Sequence, residues 1–367
     1  MNKERLLNTF LDLVKIPSPS GNERRVADYI LNFANANGVE VYEDQSQADF
    51  GNAGNVTAIL RSEGKKRVMF SAHMDTVLPC DSIHPIIKDG VITSDGTSIL
   101  GGDDKAGIAA MLELMLEMKQ INDRPEIYFV FSYGEETGLN GASSYDTSSL
   151  SNIDGAYILD SSGDVGEIID GAPYSANGIL KVIGKEAHAG IAPELGVNAL
   201  VVAAAAISEL QIGRLDEETT CNIGTVTGGL ASNIVMPSVE MVFEARSLKL
   251  DKLENLLAHV HATFKETCSE ENAHFESTVQ LKTPGFVIDH NSEIALKVVE
   301  ACKKIGIEPI FKTSGGASDA NIYNSKGIPS LTLAVGMRDV HTVHEYIRID
   351  DLMKTVELIT AITNEYN

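Results

Sequence analysis

His73, Asp103, Glu136, Asp160 and His341 are far apart in the chain, and each carries a metal-ligating side chain at the end of a hydrophobic run or the start of a predicted helix. Imidazole and carboxylate without thiolate suit a borderline divalent cation, Zn²⁺ first, with Co²⁺ or Mn²⁺ as substitutes. Two histidines and three carboxylates exceed what one tetrahedral ion takes. They suit a pair of ions about 3.5–4 Å apart that share one carboxylate and a water. The neighbours Glu135 and Glu136 then divide the work, one binding metal while the other takes a proton from that water. Asp75, two residues after His73, is placed to accept the second ring N–H, as partners of metal-bound histidines do. The pattern predicts a two-metal hydrolase.

Each fragment alone has a plainer explanation. His73-Met-Asp75 suits a capped surface pair, Gly101-Gly-Asp-Asp-Lys105 a loop with a helix cap, and Gly134-Glu-Glu-Thr-Gly138 a solvated turn. Asp160 suits a helix cap, and His341 or His344 an exposed histidine. The 101–107 segment is not a phosphate loop, because the spacing and the Ser/Thr after the lysine are absent. Joint occurrence at predicted element ends is what favours chemistry.

The elements that must position these residues follow from hydrophobic patterning. Residues 67–72, 126–132, 155–159 and 328–335 read as buried strands of a parallel sheet, and residues 108–118 as a mostly buried helix with Asp103 and Asp104 at its N-terminus. In open α/β sheets, sites form outside the carboxyl ends of the strands, which brings distant segments together. Near the N-terminus, a helix over residues 3–15 and a turn at residues 17–21 precede a second helix. Ser20-Gly-Asn-Glu23 has capping-box spacing and predicts its start.

Residues 174–285 read differently. Strands at 180–183, 219–226, 238–245 and 274–281 alternate with helices at 196–210 and 251–267 in the order βαββαβ, a ferredoxin-like pattern. Candidate ligands lie on both sides of this block, so residues 1–173 and 286–367 are expected to form one catalytic domain and residues 174–285 an inserted lid. The expected fold class is α/β, a mostly parallel-sheet catalytic domain with an inserted ferredoxin-like domain. Residues 314–320, Ser-Gly-Gly-Ala-Ser-Asp-Ala, predict a flexible loop near substrate, with Asp319 able to meet a substrate amine.

The chain resembles the di-zinc exopeptidases related to carboxypeptidase G2, aminoacylase and peptidase T, and within them the peptidase T-like aminotripeptidases. The segments that carry the resemblance are Ile16-Pro-Ser-Pro-Ser-Gly-Asn-Glu23, Ser71-Ala-His-Met-Asp-Thr-Val77, Gly102-Asp-Asp-Lys-Ala-Gly107, Gly134-Glu-Glu-Thr-Gly138, Ala187-His-Ala-Gly190 and Val340-His-Thr-Val-His-Glu-Tyr346. The resemblance implies that His73 and Asp160 hold one zinc, Glu136 and His341 the other, and that Asp103 bridges them. It makes Asp75 the residue that orients His73 and Glu135 the general base and acid. His341, followed by Glu345-Tyr346, fits the pattern better than His344. In the 174–285 block it implies that His188 comes from a partner subunit to polarise the scissile carbonyl, that Asn233 and Arg246 hold the substrate, and that the domain dimerises. Asp160-Ser-Ser-Gly163 departs from the bacterial peptidase T pattern, which bears on tripeptide specificity and not on the metal chemistry.

Composition limits the alternatives. Asp and Glu number 52 against 29 Lys and Arg, a net charge of −23, which disfavours nucleic acid and anionic membranes as partners. The longest apolar stretches, such as residues 199–207, are too short to span a bilayer, and the first residues carry no signal-peptide core. A cytoplasmic location is expected. Cys80, Cys221, Cys268 and Cys302 are scattered, without the spacing of a disulfide framework or thiolate zinc site. The expected activity is removal of the N-terminal residue from short peptides, tripeptides foremost, with a carboxypeptidase or N-acyl-amino-acid deacylase of the same family as the alternative. In that alternative Arg246 binds a substrate carboxylate.

Overall fold

Four strands built almost wholly from buried residues hold His73 and Asp160 and lead into Glu136 and His341. In the computed structural model, which describes residues 1–46, 50–150 and 152–367, they lie in the order Glu126–Ser132, Arg67–His73, Gly155–Ser162 and Ser330–Arg338. All three pairings are parallel, so the four carboxyl ends emerge along one edge. Phe70 stacks on Phe129 and on Tyr157, with ring centroids 6.4 and 5.8 Å apart, and all three are fully buried. Burial of side chains of this size stabilises by about 1.5–3 kcal/mol each.

The expectation of a mostly parallel sheet needs correction, because the sheet is mixed. Val56–Leu60 pairs antiparallel with Glu126–Ser132, and Glu40–Glu43 antiparallel with Val56–Leu60. On the other flank, Tyr346–Arg348, Val91–Thr93 and Ile86–Lys88 are added antiparallel. Antiparallel neighbours need only a tight turn, whereas parallel ones need a long crossover. Asp89 and Gly90, both at positive φ (51° and 77°), make that turn between the last two strands.

The helix Gly102–Lys119 lies behind the parallel strands and is buried over nearly its whole length, with the helices Lys3–Val14 and Ile349–Asn364 packed against it. Its first residues depart from helical geometry: Asp103 has φ −79° and ψ 104°, Asp104 φ −117° and ψ 37°. These two carboxylates therefore precede the regular turns.

Contacts divide the chain into two units, Met1–Gly171 with Ile288–Asn367, and Ala172–Val287. The second unit has its own antiparallel sheet, in the order Gly213–Arg214, Thr219–Gly228, Ser238–Ser247, Tyr174–Ile183, with His274–Ser277 and Gln280–Thr283 both on the far side of Tyr174–Ile183. The helices Ala199–Ser208 and Leu250–Glu270 pack on each other and on the central strands. Val239, Met241, Phe243 and Ala245 alternate into that core, leaving Glu240, Val242, Glu244 and Arg246 on the other face of the strand. No helix among the described residues is long and apolar enough to cross a membrane.

Candidate metal centre

The five expected ligands converge at the carboxyl ends of the parallel strands. His73 is the last residue of its strand, and its Nε2 lies 3.0 Å from Asp103 Oδ1 and 3.6 Å from Asp160 Oδ1. His341, held at φ +63° beyond the strand Ser330–Arg338, places Nε2 3.2 Å from Asp103 Oδ2 and 3.0 Å from Glu136 Oε1. Asp103 thus presents one oxygen to each histidine, the disposition a bridging ligand requires. Among the described residues, three sets of side chains place ligand atoms within 4.8 Å of one another: His73, Asp104 and Asp160; His73, Glu135 and Glu136; and Asp103, Glu136 and His341. His344 belongs to none of them.

Asp75 is fully buried and does more than face the His73 ring. His73 Nδ1 lies 2.9 Å from the Asp75 backbone oxygen and 3.4 Å from its carboxylate. That carboxylate also accepts the backbone N–H groups of Glu135 (3.0 Å) and Glu136 (3.2 Å) and the Ser20 hydroxyl (2.6 Å). Two further buried carboxylates fix backbone in the same way. Asp104 accepts from His73 N at 3.3 Å and Gly107 N at 3.1 Å, and Glu345 from Gly101 N at 2.7 Å and Asp103 N at 2.9 Å. Gly107 has to be glycine, since a Cβ there would lie 2.5 Å from Asp104 Oδ1 and 2.9 Å from Leu159 O.

Sequence reasoning did not assign these buttressing roles to Asp104, Glu345 and Ser20. A carboxylate that serves distant backbone amides leaves no spacing signature. Two other expectations are corrected. Asp319 is not on an open loop: it is 2 % exposed, lies in the helix Asp319–Ser325 capped by Ser318, and accepts the Ser132 hydroxyl. The Ser20–Glu23 capping box does not form, because the helix Arg24–Ala36 has no side-chain cap.

Charge is concentrated here. Among the described residues no Lys or Arg forms an ion pair with Asp75, Asp103, Glu135, Glu136 or Asp160, and the nearby buried Lys105 donates instead to Ile16 O at 2.6 Å. Burial pushes the Asp160 carboxyl up to about 7, against the His73 hydrogen bond. Burial opposes ionisation of Asp103 too, but hydrogen bonds from His341 and His73 outweigh it and hold the group below the usual carboxylate range. Burial likewise raises Glu135, with Asp160 adding to the effect. Hydrogen bonds to Asp103 and Glu136 lift His341 to about 10. Protons shared between imidazole and carboxylate are what divalent cations replace, and the oxygen and nitrogen donor set fits a pair of them.

His188, Asn233 and Arg246 belong to the Ala172–Val287 unit. His188 and Asn233 are brought together there: His188 bridges to Ile234, and Ala189 N donates to Asn233 O at 2.9 Å. Both side chains are exposed. Arg246 Nε donates to Glu244 Oε1 at 2.9 Å, along the strand face that points away from the helices.

Residues 69–365 match the model of peptidase family M20/M25/M40. Among solved structures, aminopeptidase PepT from Bacillus cereus ATCC 10987 is 42 % identical with a TM-score of 0.95, covering 100 % of this chain and 99 % of that one. A tripeptidase from Staphylococcus aureus is 40 % identical with a TM-score of 0.94, covering 99 % and 98 %. An uncharacterised protein of Bacillus subtilis (strain 168), YqjE, is 39 % identical over 100 % of this chain and 99 % of its own. With the match extending over most of its length and through every candidate ligand position, this chain belongs to peptidase family M20/M25/M40 and is a peptidase T-like metallopeptidase.

Proposed function

We propose that the protein is an aminopeptidase that releases the N-terminal residue of short peptides, tripeptides above all, with a pair of zinc ions held by His73, Asp103, Glu136, Asp160 and His341. Co²⁺ or Mn²⁺ would substitute. The observation that carries this reading is the state of Glu135: its backbone is held by Asp75, while its carboxylate has no hydrogen-bond partner among the described residues and lies beside the ligand set. A carboxylate so held is ready to take a proton from water and return it to the leaving amine. When bound, the metal pair supplies an acidified water and a polarised carbonyl.

Asp75 keeps the Glu135 and Glu136 backbone and the His73 ring in place. His188 would donate to the carbonyl oxygen as it gains charge, and Asn233 and Arg246 would hold the peptide backbone or its terminus. By resemblance His188 acts from the other subunit of a homodimer formed through the Ala172–Val287 unit, which would then serve as both lid and dimerisation domain. Exposed Ile179, Val226 and Val242 on its sheet support such an interface. Four free, buried cysteines are in keeping with a cytoplasmic location. The names of the similar proteins, an aminopeptidase and a tripeptidase, favour free peptides over acylated amino acids.

The test is release of the N-terminal residue from di-, tri- and tetrapeptides and N-acyl amino acids, before and after chelation and zinc restoration. The expected result is metal-dependent cleavage of tripeptides with free amines. Cleavage of acylated amino acids alone would move the protein to the deacylases, and no cleavage with zinc bound would remove the peptidase reading.

A further inference from the structure

Ser20 and Glu23 have the spacing of a capping box, yet both side chains turn away from the helix they precede. The Ser20 hydroxyl donates to Asp75 Oδ2 at 2.6 Å. Glu23, fully buried, accepts from Gly21 N at 2.8 Å and from Gly134 N at 3.2 Å through Oε1, while its Oε2 is buried with no hydrogen-bond partner among the described residues. Asp75 receives the next two amides, Glu135 and Glu136. Three successive backbone N–H groups are therefore received by two buried carboxylates, and the 20–23 segment ties those carboxylates to each other.

The segment itself is seated firmly. Ser18 O accepts Thr76 N at 2.9 Å, and Pro19 bridges to Thr76, next to Asp75. A Cβ on Gly51 would lie 2.7 Å from Gly21 Cα, and one on Gly134 2.5 Å from the Phe50 ring, so neither approach has slack. An orphaned buried carboxylate oxygen costs stability, and an ordinary helix cap would avoid that cost. Local rules are broken in this way chiefly where function needs the side chain elsewhere.

We propose that Ser20 and Glu23 are positioning residues for the base: together with Asp75 they fix the Gly134–Glu136 backbone, so that Glu135 and Glu136 stand at set places before substrate arrives. This rests on the reading of Glu135 as the base. It extends the site to the N-terminal segment, outside the 69–365 match.

The test uses the full chain and the variants Glu23→Ala, Glu23→Gln, Ser20→Ala and Ser20→Thr. Two quantities are read: kcat and KM on tripeptides with metal content, and amide hydrogen exchange of the 133–137 segment after chelation. The alanine variants are expected to lose about ten- to a hundredfold in kcat, the scale of small misplacements. KM should stay within about threefold and metal content should hold, the signature of a loss specific to the transition state. Exchange should quicken at 134–136 and stay unchanged along the helix Arg24–Ala36. Glu23→Gln, which keeps the accepting oxygen, and Ser20→Thr, which keeps the hydroxyl, should restore both readouts.

Parental kcat and exchange in the alanine variants would overturn the proposal. So would quickened exchange spread along the helix, which would mean a plain cap. If Glu23→Ala does not fold, Ser20→Ala carries the same decision from a partly exposed position. If the parent cleaves no peptide, the assignment of the base fails, while the exchange measurement still decides whether the brace exists.

Discussion

At the strand ends of the first unit, Asp75, Asp103, Asp104 and Glu345 are buried and engaged with backbone amides or imidazoles; in the second unit, His188 and Asn233 are exposed and Arg246 pairs with a neighbour two residues away. Each of those four carboxylates already has its partners within the fold. The second leaves His188 and Asn233 facing solvent. Groups that concentrate like charge have to be fixed in advance by the fold, because repulsion and desolvation would otherwise spread them apart. Exposed polar groups need no such fixing, because water satisfies them at little cost.

That contrast can be broken most forcefully at Glu135. Glu135→Ala is expected to lower kcat by about 10²–10⁴-fold, the range for general acid–base groups, with metal content and melting temperature near those of the parent. Kinetics and metal analysis on one preparation check it, and joint loss of metal and activity would make Glu135 a ligand. His188→Ala probes the other side: a fall of about 10²–10³-fold in kcat is expected, as for removal of one oxyanion donor, with no change in metal content or stability. An altered melting temperature would show that the exposed residue is structural after all, and the contrast between units would fail there.

The smallest effect concerns pH. Burial pushes the Glu23 carboxyl up to about 7, with Asp75 adding to it and the amides of Gly21 and Gly134 opposing. A carboxyl raised in the folded state adds stability that is fully present below its ordinary value of 4.5 and is lost as pH rises through about 7. Glu23→Gln cannot ionise, so its melting temperature should gain on the parent's between about pH 5 and pH 8, on the order of 2–4 °C. A constant difference across that range would show that Glu23 ionises in the fold without penalty.

Much of the candidate centre was legible in sequence because each candidate ligand ends or follows an apolar run, and such runs mark buried strands without reference to the rest of the chain. By that signal alone His73 could be placed at a strand end, Asp160 near one and His341 in the loop beyond another. The short antiparallel strands on the flanks were not read from the sequence at all, since they span three to five residues and the Asp89–Gly90 turn is a local cue easily passed over. Ser20 and Glu23 misled in role, because a helix cap and a brace for a distant loop have the same spacing.

Residue type and periodicity by themselves determined the candidate donor set, the acidic charge excess and the buried strands that lead to it, all of them properties of neighbours along the chain. Only the tertiary structure decided that Glu23 would take the amide of Gly134, 111 residues away, and Glu345 that of Asp103, 242 residues away. A buried carboxylate bonds whichever donor the packing brings within reach, and across such separations that donor is set by how the strands are ordered in the sheet.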